Sequence, residues 1–468
     1  MPIPIQTQKA PINLTGILYS SQAEPYEHIL TKIQIHMKDN YARELSEFKG
    51  DNDTEKFLRE CIQKYLKENR AGCDNGEDLE SLTNRLFHDM AEHSFISRLG
   101  ILDMDGFEEL NGNAWNDIEL ITSEGYKKLD ETFLNPQQAV DVIKRILSRR
   151  GVTIDNGMPY AYGDMGKGIR ITVAMPPIVD EEVGIVFSIR KVDVNNISEE
   201  KLIQKGSAAK EELEMLKVLV ERKISMAFGG GTGSGKTTTA AWLLSTLPTK
   251  YRLFTIEESS REIDLIKRDE NAKIISRVVH TLTMTSSNPQ DAIDQTRLLE
   301  IALRFHPDII FMAEMRSKEA FAVQEAARTG HGVLATLHTK SAPATYMRLM
   351  TLAKQAQPTF ADDTLMKMMI EAFPIIIYQK QLDDGSRRIM RVIEAEKYKD
   401  GEVIYRTLWR FVVEDTVTNS DGFVKVIGHH ERLDGISKTL YDELIENGCP
   451  RRTADKLYAP TGKESECA

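Results

Sequence analysis

The run Met226-Ala227-Phe228-Gly229-Gly230-Gly231-Thr232-Gly233-Ser234-Gly235-Lys236-Thr237-Thr238 decides the fold. It starts as a short apolar strand, breaks into glycines and resumes as a helix expected over 237–244. From Gly230 to Thr237 it satisfies G-x-x-x-x-G-K-[ST], the phosphate-binding loop, with a strand before it and a helix after it. The glycines let backbone N–H groups turn inward with no Cβ in the way, forming a nest for phosphate oxygens. The helix that follows adds the partial positive charge of its N-terminus. Lys236 can reach the β- and γ-phosphates, and the Thr237 hydroxyl can ligate Mg²⁺. Gly230, Gly231, Thr232, Gly233, Ser234, Gly235, Lys236, Thr237 and Thr238 are therefore the residues expected to hold a nucleoside triphosphate.

Around this loop the patterning alternates. Strands are expected at 224–228, 252–256, 308–313 and 332–337, and helices at 237–244, 291–305, 317–329 and 342–354. Strands and helices in that order imply an α/β fold with a mostly parallel sheet covered on both faces. Beyond Phe373 the pattern becomes a meander over 375–381, 388–396 and 403–413, with turns at Asp383-Asp384-Gly385 and Lys399-Asp400-Gly401. Upstream, helical spacing over 26–48, 55–66 and 77–93 follows a proline-bearing arm. Next comes a region with strands at 115–121, 169–173 and 184–189 and a helix at 136–149. The resulting organisation is an arm and helical region over 1–95 and an α/β domain over 96–191. A polar linker over 192–207 leads to a nucleotide-binding core over 208–374 and a β-meander with a helical tail over 375–468.

The 468 residues are 41% hydrophobic and 28% charged, ordinary values for a globular protein. A formal charge of −11 argues against wrapping nucleic acid nonspecifically. No apolar run reaches the roughly 18 residues of a membrane span, and no signal peptide is expected, so membrane association would be peripheral. Cys61, Cys73, Cys449 and Cys467 form no C-x-x-C pair and read as free thiols in a reducing compartment.

Hydrolysis needs an acid to orient water, a metal ligand and positive charge for the transition state. Two acidic stretches are expected at strand ends: Thr255-Ile256-Glu257-Glu258, and the run from Pro307 through Asp308 to Glu314, Met315 and Arg316. The second brings Glu314 to the carboxyl edge of the sheet, the ligand side of an open α/β sheet. His331 and His338 flank the short apolar strand that follows.

Together, 230–237, 255–258, 307–316 and 329–339 resemble the Walker A, acidic, atypical Walker B and histidine boxes of the secretion ATPases. This superfamily powers type II and type IV secretion and type IV pili. The stretches Arg170-Ile171-Thr172-Val173-Ala174-Met175-Pro176-Pro177, Ser188-Ile189-Arg190-Lys191 and Thr296-Arg297 through Ala302-Leu303-Arg304 look closest to the tight-adherence pilus (CpaF/TadA) branch, related to VirB11. The resemblance covers about 96–448. It implies a RecA-like ATPase core behind a smaller N-terminal α/β domain and a helical extension. It also implies a homohexamer working on ATP and Mg²⁺, cytoplasmic but docked on an inner-membrane platform protein, with no direct nucleic-acid partner. Glu257 and Glu314 match the two acids that act on the attacking water, without assigning the base between them. Thr237, Glu258 and Glu314 are the implied Mg²⁺ ligands, His331 and His338 the nucleotide sensors, and Arg170 and Arg190 the candidate arginine fingers. The chain departs from the family's usual acidic box: Glu262 arrives one residue late, after Glu257-Glu258-Ser259-Ser260-Arg261. It also lacks the four-cysteine zinc knot of many relatives. The competing reading is a RecA-like motor that translocates nucleic acid or serves conjugation, which the overall acidity disfavours.

Overall fold

The computed structural model describes residues 22–48, 50–122, 125–149, 151–166, 168–191, 197–258, 261–284, 290, 292–418 and 424–459. The chain divides into two units, residues 1–192 and 193–468.

In the first unit, helices α1 (Tyr26–Glu47), α2 (Asn52–Glu68) and α3 (Leu79–Ala91) accompany a parallel pair, β1 (Gln22–Glu24) and β2 (Ala71–Cys73). Aspartates start two of these helices. Asp51 accepts the N–H of Thr54 at 2.9 Å, and Asp78 accepts those of Glu80 and Ser81 at 2.9 and 3.0 Å. Their apolar faces close on a core containing Ile33, Leu58, Ile62 and Phe87. Cys61 and Cys73 are buried free thiols here, as is Cys449 in the second unit, whereas Cys467 lies outside the described residues.

The short helix α4 (Phe95–Arg98) leads to strands β3 (Phe107–Ala114), β4 (Asp117–Thr122) and β5 (Gly125–Lys128), then helix α5 (Pro136–Ser148). Strands β6 (Tyr160–Gly166), β7 (Ile169–Ala174) and β8 (Val186–Lys191) complete an antiparallel sheet ordered β5-β4-β3-β8-β7-β6. Val142, Ile143 and Ile146 of α5 share one core with Leu110, Ile171 and Ile189 of the sheet. β3 and β6 escape sequence patterning because each carries glycine and polar residues; cross-strand pairing recruits them.

The second unit opens with α6 (Glu199–Gln204) and α7 (Lys210–Glu221). The expected linker over 192–207 thus contains a helix, started by Ser198, whose hydroxyl accepts the N–H of Lys201 at 3.3 Å. Residues 192–196 lie outside the described residues. The unit is built on β9 (Met226–Gly230), α8 (Lys236–Thr246), β10 (Arg252–Glu257), β11 (Arg277–Leu282), α9 (Gln295–Arg304) and β12 (Ile309–Met312). It continues with α10 (Glu319–Arg328), β13 (Gly332–His338), α11 (Ala342–Ala356), α12 (Asp362–Ala372) and β14 (Ile375–Gln381). The hairpins β15 (Arg387–Lys399), β16 (Glu402–Thr418) and β17 (Val424–Arg432) follow, with α13 (Lys438–Glu446) and α14 (Arg451–Tyr458) last.

All nine strands form one sheet, ordered β11-β10-β12-β13-β9-β14-β15-β16-β17. From β11 to β14 every neighbour is parallel, and from β14 to β17 every neighbour is antiparallel. The boundary expected between 374 and 375 therefore runs through a continuous sheet. β14 lies directly beside β9, with Ile377 opposite Phe228. Its run Ile375-Ile376-Ile377 is wholly buried, as a central strand covered on both faces requires. Phe254, Ile310 and Val333 meet α9–α12 in one core. Alternate residues such as Phe228 face the other side, where α8 packs with α7 against it. Asp308 pins the amino edge of the sheet, accepting the Arg252 N–H and the Lys223 ammonium, both at 2.8 Å. Among the described residues, no helix is long and apolar enough to cross a membrane.

Candidate active site

The phosphate loop joins β9 to α8 at the carboxyl edge of the parallel strands. Gly230 admits no other residue. A Cβ there would lie 2.2 Å from the Gln379 carbonyl oxygen of β14 and 2.7 Å from Ser234 Oγ. Gly235, at φ +94°, takes the left-handed turn into α8 that glycine adopts without strain. Lys236 is buried, its ammonium donating to the carbonyls of Gly230 at 3.0 Å and Gly231 at 2.7 Å. Ser234 Oγ donates to the same Gly231 carbonyl at 2.8 Å. Thr232 is exposed, and Thr237 and Thr238 are half-buried in the first turn of α8. A cleft of about 530 Å³ opens beside the loop, lined by Gly231, Thr232, Thr339, Lys340, Tyr378 and Lys380 among others.

Two partners of the loop escape sequence reading. Gln379 of β14 is buried and donates from Nε2 to Thr239 Oγ1 at 2.8 Å. Arg387, at the start of β15, donates from Nε to the Gly233 carbonyl at 2.8 Å. Gln379 is brought there by the pairing of β14 with β9, and Arg387 by the continuation of the sheet into β15.

The acid cluster forms where β12 and β13 end. Ala313 donates its N–H to Ile256 at 3.0 Å and Met315 donates to Thr336 at 2.8 Å, so the backbone on both sides of Glu314 is fixed. Glu314 Oε1 lies 3.1 Å from His338 Nε2, and its Oε2 accepts from Arg316 at 2.7 Å. Arg316 also pairs with Glu258 at 2.9 Å, and Gln295 donates to Glu258 at 3.2 Å. Burial works to raise the Glu314 carboxyl, but Arg316, His338 and Lys236 outweigh it and hold it below the usual carboxylate range. Burial, then the Lys236 charge, depresses the His338 imidazole.

Glu257 is placed differently. Glu257 is the last residue of β10 and Glu258 the first beyond it, and the two acids have different partners. Glu257 is fully buried, and its Oε2 accepts the N–H groups of Glu262 at 2.6 Å and Ile263 at 3.2 Å. Its Oε1 accepts from the Thr255 hydroxyl at 3.3 Å. Behind that hydroxyl stands His280, Nδ1 2.9 Å from Thr255 Oγ1 while Nε2 accepts the Leu265 N–H at 3.4 Å. Because Nε2 accepts, the proton sits on Nδ1 and the chain runs from His280 through Thr255 to Glu257. In this geometry the Glu257 carboxylate is hydrogen-bonded to the loop after β10, while Glu258 joins Arg316. Glu262, doubtful in the sequence, contributes its backbone N–H to Glu257. His331 stands apart from this cluster. It precedes β13 at the amino edge, roughly 23 Å along the strand from His338, with Nδ1 3.3 Å from the Ala326 carbonyl.

In the first unit, Arg170 of β7 and Arg190 of β8 are direct cross-strand partners on the face opposite the core. Like charges so placed repel unless acids stand near, and Glu109 of β3 is opposite Arg190.

Among the described residues, no group of three or more His, Cys, Asp or Glu could hold a metal ion. Glu258 and Glu314 share Arg316, and a Mg²⁺ carried in with a nucleotide would need no more than one or two such carboxylates, its remaining shell being phosphate and water.

Residues 164–402 match the family model described as Type II/IV secretion system protein. Over 262 residues the chain is 28% identical to the uncharacterized protein MJ0900 of Methanocaldococcus jannaschii, covering 56% of this chain and 44% of that protein. The chain thus spans less than half the length of that relative. It is 25% identical over 269 residues to the conjugal transfer protein TrbB of Rhizobium radiobacter, covering 57% and 77%. It is 24% identical over 296 residues to the type IV secretion system protein VirB11 of Bartonella quintana, covering 56% and 80%.

Proposed function

The chain belongs to the type II/IV secretion system protein family, whose model matches just over half of its 468 residues, and we propose that within it the chain is a hexameric motor driven by Mg-ATP. The observation that carries the proposal is the Glu314 carboxylate held ionised between Arg316 and His338, electrostatically coupled to the loop lysine Lys236. Lys236 and the N-terminus of α8 take the β- and γ-phosphates, while Thr237, Glu258 and Glu314 hold the metal, which screens phosphate charge when bound. Glu314 orients the attacking water, His338 reports on its state, and Glu257 positions the loop that carries Glu258. Arg170 and Arg190 are the cations proposed to neutralise charge developing in the transition state.

The motor works in the cytoplasm against an inner-membrane platform protein, converting hydrolysis into motion that assembles pilin or exports substrate. The Tad-like stretches of the sequence support a pilus, and the VirB11 and TrbB relatives support the type IV secretion side of the family. Steady-state phosphate release tests the enzyme claim. Wild type is expected to turn over Mg-ATP and Lys236→Ala to lose about a hundredfold or more; equal rates would remove the claim.

A further inference from the structure

Three consecutive carbonyls follow α6, and donors of the C-terminal strands take all three. Lys205 O accepts from Arg388 Nη1, Gly206 O lies 3.1 Å from His430 Nε2, and Ser207 O accepts the Ile389 N–H at 2.8 Å. The turn is tight against its holder: a Cβ on Gly206, at φ +66°, would lie 3.3 Å from Arg388 Cζ. Arg388 in turn lies over the Phe411 ring at 5.6 Å, and His430 packs on the same ring with centroids 4.9 Å apart. Behind His430, Glu212 of α7 places Oε2 3.0 Å from Nδ1, in a pair almost wholly removed from solvent.

The holder of this turn is also the holder of the phosphate loop. Arg387 donates to Gly233 of the loop, while its neighbour Arg388 donates to Lys205. Adjacent strand residues project to opposite faces, so one step of β15 grips the loop on one side and the turn on the other. The turn stands directly after α6, the first helix of the second unit, in the chain that arrives from the first unit.

We propose that Arg387, Arg388 and Ile389 couple the phosphate loop to the turn at Lys205, Gly206 and Ser207, with Arg388 a positioning residue that acts without touching nucleotide. The inference rests on the nucleotide-binding reading above. When phosphates draw the loop inward, Gly233 carries Arg387 with it, and a paired strand cannot shift there without shifting its next residue. The turn then reports the state of the loop to the chain entering from the first unit.

Hydrogen exchange on the full chain tests it, with and without Mg²⁺ and a non-hydrolysable ATP analogue. In wild type, exchange across 203–209 is expected to change about fivefold on binding, within the range of coupling through packed elements. Arg388→Gln is expected to bind the analogue within about threefold of wild type, lose the response at 203–209, and lower kcat about tenfold at unchanged KM. Arg388→Lys, which keeps charge and reach, is expected to restore part of both, and it carries the test alone if the glutamine variant does not fold. A response that persists undiminished in Arg388→Gln, or in Arg388→Lys where the glutamine variant does not fold, overturns the coupling. A wild type that binds analogue without any change at 203–209 overturns it as well, while leaving nucleotide binding intact. A wild type that binds no analogue overturns the coupling together with the reading beneath it.

Discussion

His338 Nε2 stands 3.1 Å from Glu314 Oε1, joining the last residue of β13 to the acid that follows the neighbouring strand β12. Parallel pairing sets this distance, because Met312 lies opposite Ala335 and β13 runs on three residues to His338 while the chain after β12 reaches Glu314 beside it. The histidine thus feels both the acid and, through the charge on Lys236, the phosphate loop.

Removing that contact is expected to slow the reaction and spare binding. His338→Ala should lower kcat on the order of 10- to 100-fold, with nucleotide affinity within about threefold of wild type. His338→Gln keeps a polar partner for Glu314 and should recover part of the loss. Initial-rate kinetics with a parallel fluorescent-nucleotide titration checks both.

Gly230→Ala should cost on the order of 3 kcal/mol and abolish nucleotide binding. The added methyl would meet the Gln379 carbonyl at 2.2 Å, and neither central strand has room to retreat. Denaturant unfolding with a nucleotide-binding assay reads both effects. Gly231→Ala, where a Cβ meets nothing within 4 Å, is the matched control and should fold normally.

The His280 chain predicts a pH dependence. Burial, then the charge on Arg261, depresses this imidazole from an ordinary value of 6.5 to about 4. Between those values the unfolded chain binds more protons than the folded one, so stability rises with pH across the window and falls on acidification. Going from pH 7 to 5 should cost about 2 kcal/mol from this residue alone. In His280→Gln that slope should flatten, which denaturant midpoints at the two pH values would reveal.

The phosphate loop and the strand delivering Glu314 were legible because each is written in consecutive residues: glycines where backbone must approach closely, then an unbroken apolar run. The two adjacent acids that close β10 were legible as a pair but not as individuals, since only their partners in the fold separate the one that pairs with Arg316 from the one that holds the following loop. His331 and His338 look equivalent in sequence, and only the direction of β13 separates them. β11 went unseen because an edge strand such as Arg277-Val278-Val279-His280-Thr281-Leu282 needs no continuous apolar run. Gln379 and Arg387 carry no local signal at all. Their partners Thr239 and Gly233 lie 140 and 154 residues away, and sheet continuity alone joins them.

The sharpest test compares the rates of phosphate release by Glu314→Gln and Glu257→Gln at saturating Mg-ATP, each first shown to be folded and to bind nucleotide. Glu314→Gln should lose about a hundredfold or more, whereas Glu257→Gln, which disturbs a loop without removing the water-orienting acid, should stay within about tenfold of wild type. The reverse order, with Glu257→Gln inert and Glu314→Gln active, would contradict the account.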